Sequence, residues 1–364
     1  MFEKIKGNFG FGCMRLPMLD GEVDKAEFSK MIDAFLDAGF NYFDTAHGYI
    51  DGKSELAIGE CLAKRHDRES FVLANKLTSW FFEREEDILP LFEDQLKRCG
   101  VDYFDFYLFH AMRESAYPKY VACNAFGIVK RLRDEGKIKH IAMSFHDTPE
   151  LLDRVLTEHP EIEAVQLQIN YLDYDDPTVQ SKACYDVAVK HGKKVIVMEP
   201  VKGGALVNLP DEAVSEFTKL GNATPVSYAL RYAASYPEVF MVLSGMGSME
   251  MMSENIKTMS PFVPLNSAEL EATSAARNII RKYNQISCTG CRYCADVCPK
   301  QIPISELFSV YNEYALAHIS RKETSRLVSE YAAGPSECIE CGACEGVCPQ
   351  KIDIRERLKK IAKL

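Results

Sequence analysis

Eight of the chain's 13 cysteines lie beyond residue 287, in two runs of identical spacing. The first is Cys288-Thr-Gly-Cys291-Arg-Tyr-Cys294-Ala-Asp-Val-Cys298-Pro299. The second is Cys338-Ile-Glu-Cys341-Gly-Ala-Cys344-Glu-Gly-Val-Cys348-Pro349. Three thiolates on one tight turn can hold three corners of a cuboidal [4Fe–4S] cluster, and the fourth corner takes a cysteine from elsewhere. Zinc is the competing reading, because paired C-x2-C also serves that metal. Four ligands complete a zinc ion, however, and leave the third cysteine, the three-residue gap and the proline without a purpose. The pattern therefore points to two iron–sulfur clusters. Cys13, Cys61, Cys99, Cys123 and Cys184 are scattered and read as small buried hydrophobes.

Both runs resemble those of bacterial two-cluster ferredoxins, in which the fourth cysteine of each run crosses to the other cluster. The resemblance implies that Cys288, Cys291, Cys294 and Cys348 hold cluster 1. It assigns Cys338, Cys341, Cys344 and Cys298 to cluster 2. The stretch between Cys298 and Cys338 exceeds what a compact ferredoxin needs. Leu307, Val310, Tyr311 and Tyr314 repeat there at helical spacing, so a helical pair is expected over 303–333.

A second set of chemically capable residues falls at the ends of strand-like segments. Those segments cover 9–14, 41–44, 71–76, 103–110, 140–144, 164–170, 194–199 and 239–244. Asp44, Lys76, His110, Ser144 and Glu199 each end one, while Gln166 and Asn170 share another. Amphipathic stretches of about 10 to 16 residues separate the segments, the length of a crossover helix. In the first stretch, Asp24 and Glu27 suggest a capping box, Phe28, Met31, Ile32, Phe35 and Leu36 repeat at helical spacing, and Gly39 stops the helix. Thr148-Pro149 marks another start. Eight such β/α units in about 250 residues predict an α/β fold, a (β/α)8 TIM barrel rather than an open sheet. A barrel brings all those strand ends to one face, where active sites are built. Gly10-Phe11-Gly12 lacks the third glycine of a dinucleotide fingerprint, and no G-x4-G-K-[ST] phosphate loop occurs.

Taken together, Phe43-Asp44-Thr45-Ala46-His47-Gly48-Tyr49, Ala74-Asn75-Lys76 and Leu108-Phe109-His110 resemble the aldo-keto reductase signature. The resemblance runs on through Ala142-Met143-Ser144, the strand from Val165 to Asn170, Met198-Glu199-Pro200 and Glu254-Asn255. With the cysteine runs, it implies the subgroup whose barrels carry a C-terminal iron–sulfur extension. The family's catalytic tetrad then falls on Asp44, Tyr49, Lys76 and His110. The resemblance implies hydride transfer between NAD(P)H and a carbonyl or alcohol, with Tyr49 as general acid/base. Lys76 beside Tyr49 would favour the phenolate, Asp44 would keep Lys76 charged, and His110 would orient the substrate oxygen. Implied cofactor contacts are Ser144, Gln166, Asn170, Met198, Glu199, Gly245, Ser248, Glu254 and Asn255. Met198 stands where many members place an aromatic. The family's lysine and arginine for the adenosine 2′-phosphate fall on Gly245 and Met251, so NADP and NAD both stay open. Gly245-Met246-Gly247-Ser248 can still hold a phosphate through backbone N–H groups.

At 364 residues two units are expected: a barrel over 1–265, then a helical linker over 266–284. A small, largely helical, dicluster ferredoxin-like domain follows over 285–364. A net charge of −10 argues against nucleic acid or an anionic membrane surface as partner. The N-terminus has no signal-peptide h-region and no segment reaches membrane-spanning length, so a cytoplasmic protein with reduced thiols is expected. The expected partners are a small carbonyl or alcohol and an electron-transfer protein. Hydride transfer moves two electrons together and a cluster passes one, so the clusters are either structural or separately addressed. A flavin could split the pair, although no flavin motif is present. The alternative of a different class is an electron-transfer protein whose barrel binds a redox partner or flavin. Substrate choice is expected from loops 78–84 and 111–124, with Trp80, Phe81, Phe82 and Tyr117 offering aromatic walls.

Overall fold

In the computed structural model, which describes residues 2–221, 223–283 and 285–364, eight parallel strands close into a barrel. They are β1 (Phe9–Gly12), β2 (Tyr42–Asp44), β3 (Val72–Leu77) and β4 (Phe104–Met112). Next come β5 (Ile138–Phe145), β6 (Ala164–Gln168), β7 (Lys194–Met198) and β8 (Val239–Gly245). Closure comes from β8 pairing with β1, from Phe9↔Val242 to Gly12↔Gly245. Every strand lies within two residues of its sequence-based bounds. Tyr42, Val72, Phe106, Leu108, Ile196 and Met241 are among the apolar side chains that fill the interior. Phe2 packs onto that core, its ring 5.0 Å from Phe106 and 4.7 Å from Phe240.

The helix Lys25–Asp37 buries Phe28, Met31, Ile32 and Phe35, the stripe read from its spacing. Its N-cap Asp24 accepts from the N–H groups of Ala26 and Glu27. The N–H of Asp24, however, donates to Pro17 O at 2.8 Å instead of to Glu27. The hairpin of Met18–Leu19 with Glu22–Val23 brings that carbonyl within reach, so the expected capping box is replaced by a tertiary contact.

The chain divides into two compact units, Met1–Pro200 with Leu230–Pro264, and Val201–Ala229 with Leu265–Leu364. Segment 201–229, counted in the barrel by its sequence position, thus joins the second unit. There the helix Asp211–Thr218 packs against the helix Ser267–Ile280, which is closed by a reciprocal Asn266–Glu269 capping box. Met1 and Asn284, end residues of the expected barrel and linker, lie outside the described residues. The expected helical pair is Ile304–Ala315 and Arg321–Ser329. Ile302, Leu307, Phe308, Tyr311, Ile354 and Leu358 form a core against which four of the motif cysteines pack. Gly203, at φ +63°, lies so close to the first cysteine run that a Cβ there would stand 2.2 Å from Thr289 O. Among the described residues, no helix is long and apolar enough to cross a membrane.

Candidate active site and cysteine site

Asp44 and Lys76 end neighbouring strands and meet at 2.6 Å, Nζ to Oδ1, with both side chains buried. Lys76 Nζ also donates to Thr45 O at 2.7 Å and lies 4.8 Å from the Tyr49 ring centroid. Burial pushes the Asp44 pKa up and the Lys76 pKa down, and each charge opposes the shift of the other. Gln166 lies near enough to favour the Asp44 carboxylate, whose Oδ2 nevertheless makes no hydrogen bond. Tyr49 sits on a tight turn in which Ile50, Asp51 and Gly52 follow one another at positive φ. Its carbonyl accepts from the N–H groups of Gly52 and Ser54. Behind that turn, the buried Glu55 accepts from Asn75 Nδ2 and Arg98 Nε and pairs with His47 Nδ1, each at 2.9 Å. Tyr49 differs from expectation in one respect. Its phenol pKa is raised, not lowered, because burial and the Asp44 charge outweigh the opposing charge of Arg15. Lys76 spends its hydrogen bonds on Asp44 and Thr45.

His110 completes the group, its ring 5.9 Å from that of Tyr49 and near-perpendicular to it. Its Nδ1 lies 2.6 Å from Thr78 Oγ1, a contact no sequence pattern announced. Tyr120 OH donates to both His110 O and Leu77 O, anchoring this stretch of β4. The hydroxyl can donate to Nδ1 or accept from it, and either way it holds the imidazole in one orientation beside Tyr49. Thr78→Val is therefore expected to lower turnover about tenfold and to change its pH profile, with Thr78→Ser restoring both; steady-state kinetics on the three proteins checks this.

Burial, then the nearby Lys76, His146 and Arg113, hold the His110 pKa well below the usual histidine value. His146 is pushed down to about 4 by burial and by Arg113, with Asp147 opposing. Both imidazoles bind protons more weakly folded than unfolded. Their contribution to stability is thus present above about pH 6.5 and is lost as pH falls through lower values. Urea midpoints should decline between about pH 6.5 and about pH 4, and His146→Gln should flatten part of that decline.

The residues implied for nicotinamide gather at the same strand ends, with other duties visible. Ser144 Oγ accepts from Ala111 N at 2.7 Å, stabilising a residue at φ 51° beside His110. Asn170 spends its amide on Asp173 Oδ2 and Glu199 O, while its Oδ1 accepts from Leu172 and Asp173 N–H groups. It therefore braces Glu199, which itself sits at φ 54° just past Met198. Arg15 Nη2 lies 3.8 Å from Glu199 Oε1, and a Cβ on Gly245 would meet Arg15 Cβ at 3.3 Å. Asn255 donates to Ser244 Oγ at 3.1 Å. Ser248 caps the helix Met249–Met259, accepting from Met251 N, and Glu254 is partly exposed on that helix. Beside it, Gly247 has no atom within 4 Å of an added Cβ. Of the four loop aromatics, Trp80 and Phe81 are 42% and 43% exposed, whereas Phe82 and Tyr117 are buried.

In the second unit Cys298, Cys338, Cys341 and Cys344 line one pocket, with Ile304, Arg355 and Leu358 in its wall. The other four stand together as well. Burial and then the neighbouring thiols of Cys291, Cys288 and Cys348 push the Cys294 thiol up. Burial raises Cys344 to about 11. Among the described residues, no three His, Cys, Asp or Glu side chains converge on a point that could hold a single metal ion.

The profile described as "Aldo/keto reductase family" matches residues 8–277. The chain belongs to the aldo/keto reductase family. A second profile, "4Fe-4S dicluster domain", matches residues 287–352. The chain is similar to the aldo-keto reductase str7 of Strobilurus tenacellus, 26% identical over 295 residues, covering 70% of this chain and 84% of that one. It is also similar to the NADH-specific methylglyoxal reductase of Escherichia coli (strain K12), 26% identical over 211 residues, covering 52% of this chain and 61% of that one. The holo form of an aldo-keto reductase from Bacillus halodurans superposes with a TM-score of 0.60 at 24% identity, covering 74% of this chain and 91% of its own. An aldo-keto reductase from Klebsiella pneumoniae, solved in complex with NADPH, gives a TM-score of 0.60 at 20% identity over 73% of this chain and 89% of its own. The family's fold thus agrees with the barrel that places Asp44, Tyr49, Lys76 and His110 together. Arg15 and Thr78 escaped the sequence reading because each lies just past a strand end, where residue type alone does not reveal a partner.

Proposed function

We propose that this reductase transfers hydride between NAD(P)H and a small carbonyl or alcohol, with Tyr49 as general acid/base. The observation that carries this reading is the buried Asp44–Lys76 pair at 2.6 Å, with Lys76 4.8 Å from the Tyr49 ring centre and His110 alongside. When bound, the nicotinamide supplies the hydride. Tyr49 gives its proton to the carbonyl oxygen, and its raised pKa keeps that proton in place at neutral pH. Lys76 lowers the energy of the phenolate left behind, and Asp44 holds Lys76 as a cation. His110, uncharged and held through Nδ1 by Thr78, sits beside Tyr49, where it can orient the substrate oxygen. Exposed Trp80, its ring 6.2 Å from His110, suits a substrate with an apolar or aromatic body.

For the cofactor, the N-terminus of Met249–Met259 and the open space at Gly247 suit a pyrophosphate held by backbone N–H groups. NADH is favoured over NADPH, since neither Gly245 nor the exposed Met251 can neutralise a 2′-phosphate. A relative named as NADH-specific supports the same choice. In the second unit, thiols ringing a pocket instead of a point fit a [4Fe–4S] cluster on each crossed set of four. The clusters stand outside the hydride step, because each moves one electron at a time.

The test is anaerobic. NADH or NADPH is added to the cluster-loaded protein and the visible cluster absorption is recorded, before and after a carbonyl is supplied. Nicotinamide consumption only with the carbonyl, without bleaching, supports the reading. Bleaching by nicotinamide alone would instead favour an electron-transfer protein and direct the search to a flavin.

A further inference from the structure

The four cysteines Cys298, Cys338, Cys341 and Cys344 share their pocket with Arg355 and Leu358 of the helix Ile354–Ile361. Cys341 is exposed, and its neighbour Ile339 is 56% exposed, so this thiol set has one edge open to solvent. The helix that walls the pocket also carries a concentration of cations. Arg357, Lys359, Lys360 and Lys363 line one shallow concavity, with only Asp353 and Glu356 opposing them. Lys359 ties this concavity to the open edge, because its Nζ lies 2.8 Å from Glu340 Oε2, the residue between Ile339 and Cys341. Among the described residues, Arg357, Lys360 and Lys363 enter no ion pair. Lys360 is exposed, with its Nζ 5.3 Å from the Tyr311 ring centroid. Such a locally positive face is unexpected on a chain of net charge −10.

We propose that this face docks a small acidic one-electron carrier protein beside the cluster held by Cys298, Cys338, Cys341 and Cys344. The inference rests on the cluster reading given above. Arg357, Lys360 and Lys363 complement an acidic carrier, and Lys359 links their concavity to Glu340 beside the exposed Cys341, so an approach steered by charge ends next to this thiol set. A [4Fe–4S] cluster held by Cys298, Cys338, Cys341 and Cys344 would take up the one electron that the carrier loses. No atom or proton need move. The surface therefore gives the clusters an electron source or sink that the hydride chemistry of the barrel does not supply.

The experiment uses the full-length, cluster-loaded protein with a flavodoxin as the acidic probe, and calorimetry as the readout. Raising NaCl from about 50 to about 300 mM should weaken binding about tenfold. The triple variant Arg357→Glu, Lys360→Glu, Lys363→Glu should weaken it at least about tenfold at low salt. The control Lys64→Glu, Lys97→Glu, Lys130→Glu, which changes exposed cations of the barrel unit, should not. Iron and acid-labile sulfide are assayed on every sample. Wild-type affinity in the triple variant at full iron content would overturn the docking face alone. Iron and sulfide below that of two clusters would overturn the cluster reading beneath it. Binding to phosphatidylserine vesicles but not to flavodoxin would overturn the choice of a protein partner.

Discussion

Tyr49→Phe is expected to reduce the turnover of carbonyl reduction by about 10²- to 10⁴-fold while leaving nicotinamide affinity nearly unchanged. The loss falls on kcat because the phenol acts only as charge develops on the substrate oxygen. The aromatic ring remains, so the contact with Lys76 and the edge-to-face packing on His110 persist. Folding should therefore be close to wild type, and a lower thermal midpoint alone would not account for lost turnover. The raised pKa of Tyr49 adds a direction to the pH dependence. Reduction needs the protonated phenol and should hold its rate into alkaline solution. Alcohol oxidation needs the phenolate and should climb with pH to beyond about 10, the ordinary tyrosine value. Stopped-flow measurement of nicotinamide oxidation, with titration of nicotinamide fluorescence for affinity, separates the two effects.

Gly203→Ala should be the most damaging single methyl in the second unit. Its φ of +63° already disfavours a side chain, and the new Cβ would stand 2.2 Å from Thr289 O and 2.6 Å from Thr289 C. The obstacle is backbone, so no rotamer change relieves it. Thr289 lies between Cys288 and Cys291, and the cysteine loop must shift if the methyl is to fit. A loss of about 3 kcal/mol or more is expected, together with a fall in retained iron. Gly334→Ala serves as the control, with only Ser336 Oγ at 3.9 Å and no positive φ. It should leave both readings near wild type. Chemical denaturation and iron analysis on the two variants decide the matter.

The legibility of this chain in its sequence follows physical lines. The barrel was readable because the strands are short apolar runs, most of them with a polar residue near the C-terminal end, and helices such as Lys25–Asp37 show their own stripe. Asp44, Lys76 and His110 could be placed on one face because parallel strands share their C-terminal ends. Features that depend on a second chain segment were not readable. The capping box at Asp24 gave way to Pro17 because a hairpin delivers that carbonyl from outside the helix. The stripe Ala213, Phe217 shows that a face is buried but not that it packs on Ser267–Ile280. The sign of the Tyr49 shift was missed for a similar reason. A lysine near a tyrosine suggests a lowered pKa, and only the structure shows how far burial and Asp44 counteract it. Asn170, expected as a cofactor contact, also places its amide on Asp173 and Glu199, partners that no spacing announces.

The central claim is that a hydride passes directly to a carbonyl carbon with Tyr49 supplying the proton. Its most direct test supplies NADH deuterated at both C4 positions to the anaerobic, cluster-loaded protein together with an aromatic aldehyde, and follows the label by mass spectrometry. The account predicts one deuterium on the carbinol carbon of the alcohol, unbleached clusters, and almost no labelled alcohol from Tyr49→Phe. An unlabelled alcohol, or NADH oxidation that bleaches the clusters without forming labelled alcohol, would contradict it.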